Sequence, residues 1–472
     1  MTIDSTQKVV LIDSLLTKTG WIEQAYVLLD AQGVIQEIGS DVPSHIAQAD
    51  VLKETIRGYV IPGFQNAHSH AFQYAMAGIA EHLPQNASKD DFWTWREAMY
   101  SLALRIDPEE LEAIATMLYA EMLRHGITAV MEFHYLHHDT NGRPYNNLAE
   151  LGSRILAAAK TTGIHVTLVP VMYEQGGFGR SLTKGQTRFN TFGLSGYGKL
   201  LDATRAAARG LDDVIVGRGI HSLRAVSTED TLQLLSKGAE GPIHLHIAEQ
   251  TKEVDDCVAY LKKRPVEWLL EHLSVDHRYH LVHATHMSRD EAYKLGQSKA
   301  TVVLCPSTEG NLGDGIFRLH DYRSAGGGCA IGTDSQIGLS PFEELRWLDY
   351  VQRLTAEKRN IVCQKGGEDS GTLLLSEAWD HGRSAMGLSY DDFFAIGQPF
   401  DAVVIDPEHP IMLGKPPARR IGALIYGGDP TTLLGTIRRG QWLVKDGKHR
   451  HKDTIKKNYA KAVQTLWHHF GN

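Results

Sequence analysis

Between residues 60 and 334 the chain alternates two hydrophobic rhythms. Short, nearly continuous apolar runs are separated by longer stretches in which apolar residues recur every three or four positions, the signature of buried parallel strands joined by crossover helices. Eight such runs can be counted: "YVIPGFQNAHSH", "ITAVMEFHY", "HVTLVPVMY", "DVIVGRGIHSL", "PIHLHIAE", "YHLVHATH", "TVVLCPST" and "GGCAIGTDS". Eight βα units close into a (β/α)8 TIM barrel, an α/β fold expected here over residues 61–399. One crossover helix is legible in detail. In "IDPEELEAIATMLYAEMLRHG", Asp107 is placed as N-cap, Pro108 at the first helical position and Glu110 at the third. Leu111, Ile114, Leu118 and Met122 then form an apolar stripe for the barrel wall, and Gly126 is the stop.

The chain ends follow a different rhythm. "KVVLID", "EQAYVLLDAQGVIQEIGS" and "VLKETIRGYV" read as short strands, as do "DAVVIDP", "GALIYGG" and "TTLLGTIRRGQWLVKDGKHR" after residue 400. Residues 1–60 and 400–450 are therefore expected to pair into one discontinuous β domain. "DTIKKNYAKAVQTLWHHF" is expected as a terminal helix within 451–472.

Composition narrows the partners. A formal net charge of −8 over 472 residues disfavours nucleic acid, which needs a concentrated basic surface, and points to a small molecule. Cys257, Cys305, Cys329 and Cys363 form no close pair, so neither a disulfide framework nor a thiolate metal cluster is expected. A reducing compartment fits. No apolar run approaches the ~20 residues that span a bilayer, so no membrane partner is expected and the cytoplasm is the expected location.

Histidine usage changes the picture most. Active sites of such barrels gather at the C-terminal ends of the strands. There the chain places His68 and His70, His221, His244 and His246 with Glu249 beyond, His283 and His286, and finally Asp334. Imidazole nitrogens and one carboxylate suit a borderline divalent cation, which lowers the pKa of a bound water toward neutrality. Glu249, three residues past His246, is placed to exchange protons with that water. His244 and His246 share strand parity, so the two-residue period cannot choose between them.

These motifs resemble the amidohydrolase superfamily over essentially the whole chain, and within it the mononuclear deaminases. Strand four, "VIVGRGIHSLRAV", has no lysine to bridge a second metal. The stretches "HSHAFQ", "FWTWREAMY", "EFHYLHHD", "HSLRAV", "HIAEQTKEVDDC", "LVHATH", "STEGNLGDGIF" and "GTDS" are similar to those of the N-formimino-L-glutamate deiminases. The resemblance implies a small β-sandwich built from both chain ends and one divalent metal ion on His68, His70, His246 and Asp334. Zinc is the default, with iron and manganese as alternatives. It further implies Glu249 as proton shuttle, His283 and Asp334 as its catalytic partners, and Gln73, Arg96, Tyr135, His221 and Arg224 as substrate contacts. The implied reaction is hydrolysis of N-formimino-L-glutamate to N-formyl-L-glutamate and ammonia in histidine degradation, by a homodimer. Two guanidinium forks suit a dicarboxylate, each charge-assisted contact contributing on the order of 1.5–3 kcal/mol. The rivals are a deaminase of a purine, pyrimidine or adenosyl compound, and a barrel scaffold without chemistry. His134, His137 and His138 receive no role. Gly310, Gly313 and Gly315 suit either a loop close to a ligand or a simple turn.

Overall fold

The computed structural model describes residues 6–48, 50–81, 90–236, 241–388 and 392–468. Alternating apolar residues shape the first four strands, β1 (Lys8–Thr17), β2 (Gly20–Leu29), β3 (Ile35–Ser40) and β4 (Leu52–Pro62). The next nine are β5 (Phe64–Ser69), β6 (Ile127–His134), β7 (His165–Met172), β8 (Val214–Val216), β9 (Arg218–Ile220), β10 (Ile243–Ile247), β11 (Tyr279–His283), β12 (Thr301–Leu304) and β13 (Gly328–Ile331). The last four are β14 (Ala402–Ile405), β15 (Leu433–Arg438), β16 (Gln441–Lys445) and β17 (Lys448–His449).

The parallel strands run β5-β6-β7-β9-β10-β11-β12-β13, with β8 an extra partner of β7. Every residue of β6 and β7 is buried, as strands covered on both faces require. The ring closes where Ser69 bridges Asp334: the amides of Thr333 and Asp334 donate to the His68 carbonyl at 3.1 and 3.0 Å. The seam of the barrel thus runs through the predicted ligands. The chain-end strands form a second sheet, β17-β16-β15-β14-β4-β1-β2-β3, one continuous hydrogen-bonded ladder.

Two predicted runs are divided. "YVIPGFQNAHSH" splits between the sheets, because β4 pairs with β1 and β14 as far as Pro62 while β5 begins the barrel at Phe64. Gly63 makes the turn-over possible, since a Cβ there would lie 2.2 Å from the Thr128 hydroxyl. The fourth run divides into β8 and β9 around Gly217. "GALIYGG" is not a strand: it belongs to the helix Pro417–Gly427, whose buried Ile421, Leu424 and Ile425 have helical spacing. The expected helix is found at Pro108–Arg124, with an Asp107–Glu110 capping box and Gly126 at φ +85° after it. The terminal helix runs Lys452–Trp467 and packs against it; residues 469–472 lie outside those described.

Candidate metal centre

His68, His70, His246 and Asp334 are all buried, and their ligating atoms lie within 4.8 Å of one another. The Nε2 of His68 is 3.1 Å from that of His70 and 3.0 Å from that of His246, and Asp334 Oδ1 is 3.4 and 3.2 Å from His68 and His70. Ligands about 2.0–2.1 Å from a tetrahedral cation lie about 3.3 Å apart. The spacing therefore fits a single ion. The outer ring nitrogens support the same assignment. His70 Nδ1 is 2.9 Å from the Phe133 carbonyl and His246 Nδ1 is 3.1 Å from the His221 carbonyl, which directs each Nε2 lone pair inward. Burial, first of all, holds the His68 imidazole down at about 3 and the His246 imidazole well below its usual range, so both are neutral donors. Burial alone would raise the Asp334 carboxyl, but the facing imidazoles of His68 and His70 hold it well below the carboxylate range.

The segment bearing His70 is braced from behind. Glu132, 1% exposed, accepts hydrogen bonds from Ser69 Oγ (2.8 Å), the Ala71 amide (2.6 Å) and Tyr119 Oη (3.1 Å). Asn66 bonds Thr333 across the seam at 2.7 and 3.0 Å, and Gln336 links Thr333 to Ser69. Nothing in the local sequence marks these residues as a set, because their contacts join positions up to 267 apart.

Beside the cluster, Glu249 is 6% exposed and therefore no surface carboxylate. Burial pushes its carboxyl up to about 7, Asp334 and Glu253 adding to the rise while His283 and Arg224 oppose it. Glu253 accepts the amide hydrogens of Ala248 and Glu249 at 3.2 and 3.1 Å and so fixes the turn that presents Glu249. His283 Nε2 is 3.6 Å from Glu249 Oε1 and 3.8 Å from Asp334 Oδ2. Burial would lower the His283 imidazole, but Glu249, Glu309 and Asp334 together raise it well above its usual range.

Every residue given a metal, catalytic or substrate role from the sequence, except His68 and His283, lines one cavity. Gln73 Nε2 donates to Tyr135 Oη at 3.0 Å, and the His221 ring lies 4.7 Å from that of Tyr173. The Arg96 guanidinium sits 4.4 Å over the Trp93 ring, and Arg224 is 8% exposed. The Nε atoms of both arginines are buried without a hydrogen-bond partner among the described residues. Neither arginine is a surface group, and buried unpaired donors of this kind call for an acceptor from a ligand. Sequence reasoning missed the aromatic walls, Trp95, Tyr100, Tyr173 and Phe189, and the acids Glu309 and Asp314 near His283. Both acids lie in "STEGNLGDGIF", where glycine spacing reads as a turn; Pro306–Leu312 is a helix instead. His137 and His138 bond the carbonyls of Val171 and Asn190 and hold loops. His286 likewise meets the Asp314 carbonyl at 2.7 Å. No helix among the described residues is long and apolar enough to cross a membrane.

Known proteins are similar to this chain in sequence and fold to different depths. The chain is 41% identical over 453 residues, 96% of its length and 98% of the relative's, to a formimidoylglutamate deiminase from Pseudomonas aeruginosa. It is 25% identical over 438 residues, 90% of each chain, to a 5-methylthioadenosine/S-adenosylhomocysteine deaminase from Shouchella clausii. Among solved structures, an amidohydrolase from Brucella melitensis superposes with a TM-score of 0.89 at 39% identity, covering 98% of this chain and 100% of that one. A zinc-bound adenosine deaminase from Xanthomonas campestris shares the fold at a TM-score of 0.79 and 20% identity, covering 97% and 98%. The model of the amidohydrolase family matches residues 59–443, from within β4 through the whole barrel and into β16, and the chain belongs to that family.

Proposed function

We propose that the protein hydrolyses N-formimino-L-glutamate to N-formyl-L-glutamate and ammonia, with one divalent metal ion, zinc by default, on His68, His70, His246 and Asp334. The observation that carries this reading is the pair of arginines, Arg96 and Arg224, whose buried Nε atoms have no hydrogen-bond partner among the described residues and which line the same cavity as His70, His246, Asp334 and Glu249. The 41% identity to a formimidoylglutamate deiminase supports the same substrate. A cation in the cluster would polarise water and make it nucleophilic near neutral pH.

The chain's own groups do the rest. Arg96 and Arg224 bind the two substrate carboxylates, and Gln73, Tyr135 and His221 complete the pocket that orients the formimino group. Glu249 takes a proton from the attacking water as its oxygen bonds to the formimino carbon. His283 and Asp334 orient that water. Glu249 returns that proton to the terminal nitrogen and then carries the proton of the adduct's hydroxyl to the same nitrogen, so that the C–N bond breaks with ammonia leaving and the formyl carbonyl forming, since an amide anion is too poor a leaving group to depart unprotonated. The aromatic walls exclude water from the bound carboxylates and strengthen their ion pairs. Domain limits near residues 60 and 400, a homodimer and a cytoplasmic location complete the proposal, as in the sequence-based expectation.

The test is ammonia release by purified, metal-loaded protein offered N-formimino-L-glutamate beside adenosine, methylthioadenosine and guanine. Turnover of the formimino compound is expected. Turnover confined to a nucleobase compound, or none with metal bound, refutes the assignment.

A further inference from the structure

Three carboxylates surround His283, but they meet different edges of its ring. Glu249 and Asp334 lie off Nε2 at 3.6 and 3.8 Å, beyond hydrogen-bond length, and Nε2 is buried with no hydrogen-bond partner among the described residues. Glu309 Oε1 lies on the opposite side, 3.3 Å from Nδ1. Glu309 is itself held firmly. Its Oε1 accepts the Cys305 amide hydrogen at 2.9 Å, its own amide donates to the Cys305 carbonyl at 2.9 Å, and its residue is 8% exposed. His283 and Ala284 both have left-handed backbone, φ +67° and +50°, a costly conformation for two successive non-glycine residues. That turn aims the His283 ring away from the line of β11 and toward the gap between Glu249 and Asp334.

The backbone fixes where the ring lies but not which way round it sits. An imidazole can turn over about its Cβ–Cγ bond and exchange a nitrogen for a carbon at each edge, with little change in shape. We infer that Glu309 is a positioning residue: by accepting the Nδ1 hydrogen of His283 it holds the ring in the orientation that leaves Nε2 free at the reacting centre. The inference rests on the proposed role of His283 in the hydrolysis. It accounts for a carboxylate in "STEGNLGDGIF" that neither the metal site nor the substrate pocket uses. The helix Pro306–Leu312 begins directly after β12, and that start brings Glu309 beside His283 at the end of β11. A hydrogen bond to a charged acceptor favours one ring orientation about 10- to 100-fold over the other, and this sets the size of the expected effect.

The experiment compares metal-loaded wild type with Glu309→Ala and Glu309→Gln, alone and in a His283→Asn background. For Glu309→Ala, kcat is expected to fall about 10- to 100-fold while KM stays within about twofold and metal content is unchanged. Glu309→Gln keeps an acceptor oxygen of the same reach and is expected to recover part of that loss, and it also serves should the alanine variant not fold. In the His283→Asn background neither change is expected to lower kcat further, because no orientation remains to be held. A crystal structure of metal-loaded Glu309→Ala is expected to show the His283 ring turned over or occupying both orientations. The inference is overturned if kcat stays within about threefold of wild type, if the loss is equal in both backgrounds, or if the loss follows depleted metal. Failure of the wild type to act on N-formimino-L-glutamate would refute the proposed function instead, and the ring orientation in that crystal structure would still decide the role of Glu309.

Discussion

Two layers of buried histidine line the barrel, the upper drawn from β10 and the end of β5 on different sides of the ring, the lower from the neighbouring strands β10 and β11. In the upper layer His68, His70 and His246 bring their Nε2 atoms within 3.0–3.1 Å of a neighbour, Asp334 joins them, and two of the outer nitrogens are anchored on carbonyls. One pleat earlier, His244 pairs in register with His280, and the rings stack at 4.7 Å. His244 Nε2 meets the Ala385 carbonyl at 2.8 Å, and both ring nitrogens of His280 are without a partner among the described residues. The two layers share residue type and burial, and burial holds His244 down at about 3 and His280 well below its usual range, as it does His68 and His246 in the upper layer. What separates them is convergence and a carboxylate. Buried imidazoles become ligands only where several lone pairs meet a charge that an ion can complete.

The sharpest way to break the comparison is one alanine in each layer. His246→Ala is expected to abolish metal binding and with it activity. His244→Ala is expected to retain the metal and to cost only about 1–3 kcal/mol of stability, from the lost side chain and its bond to Ala385. Metal analysis and thermal unfolding of both variants give the answer, and equal metal loss in the two would erase the distinction between layers.

A smaller effect separates the metal cluster from the pocket above it. Arg224→Met and Arg96→Met are each expected to lower kcat/KM on the dicarboxylate about 10- to 150-fold, equivalent to about 1.5–3 kcal/mol of lost charge-assisted contact, with metal content unchanged. Steady-state kinetics checks this, and unchanged kcat/KM would remove the arginines from substrate binding.

The mildest expectation concerns protons. Burial raises Glu249 to about 7, and a base must be ionised to act. A bound cation favours the carboxylate, so kcat/KM should decline on the acid side from a limb at or below about pH 7, approaching tenfold per unit. A pH–rate profile flat down to pH 5 would show that Glu249 is not the base.

Much of this was legible because the signals are local. The capping box at Asp107 and Glu110, the stop at Gly126 and the wholly apolar β6 and β7 each depend on neighbours in sequence. Readings failed where packing overrode local pattern. Gly63 let one apolar run serve two sheets, and "GALIYGG" was too short for its helical period to stand out from a strand. Glu309 escaped notice because its partner, His283, lies 26 residues away on another strand.

On its own, the sequence determined the barrel rhythm, the chain-end strands and the placing of histidines at strand ends, since periodicity and residue type are properties of the chain itself. Parity could not choose between His244 and His246. The resemblance favoured His246, and only the tertiary structure supplies the physical reason, because depth along β10 places His246, and not His244, level with His68. Convergence of atoms from segments hundreds of residues apart exists only once the ring has closed.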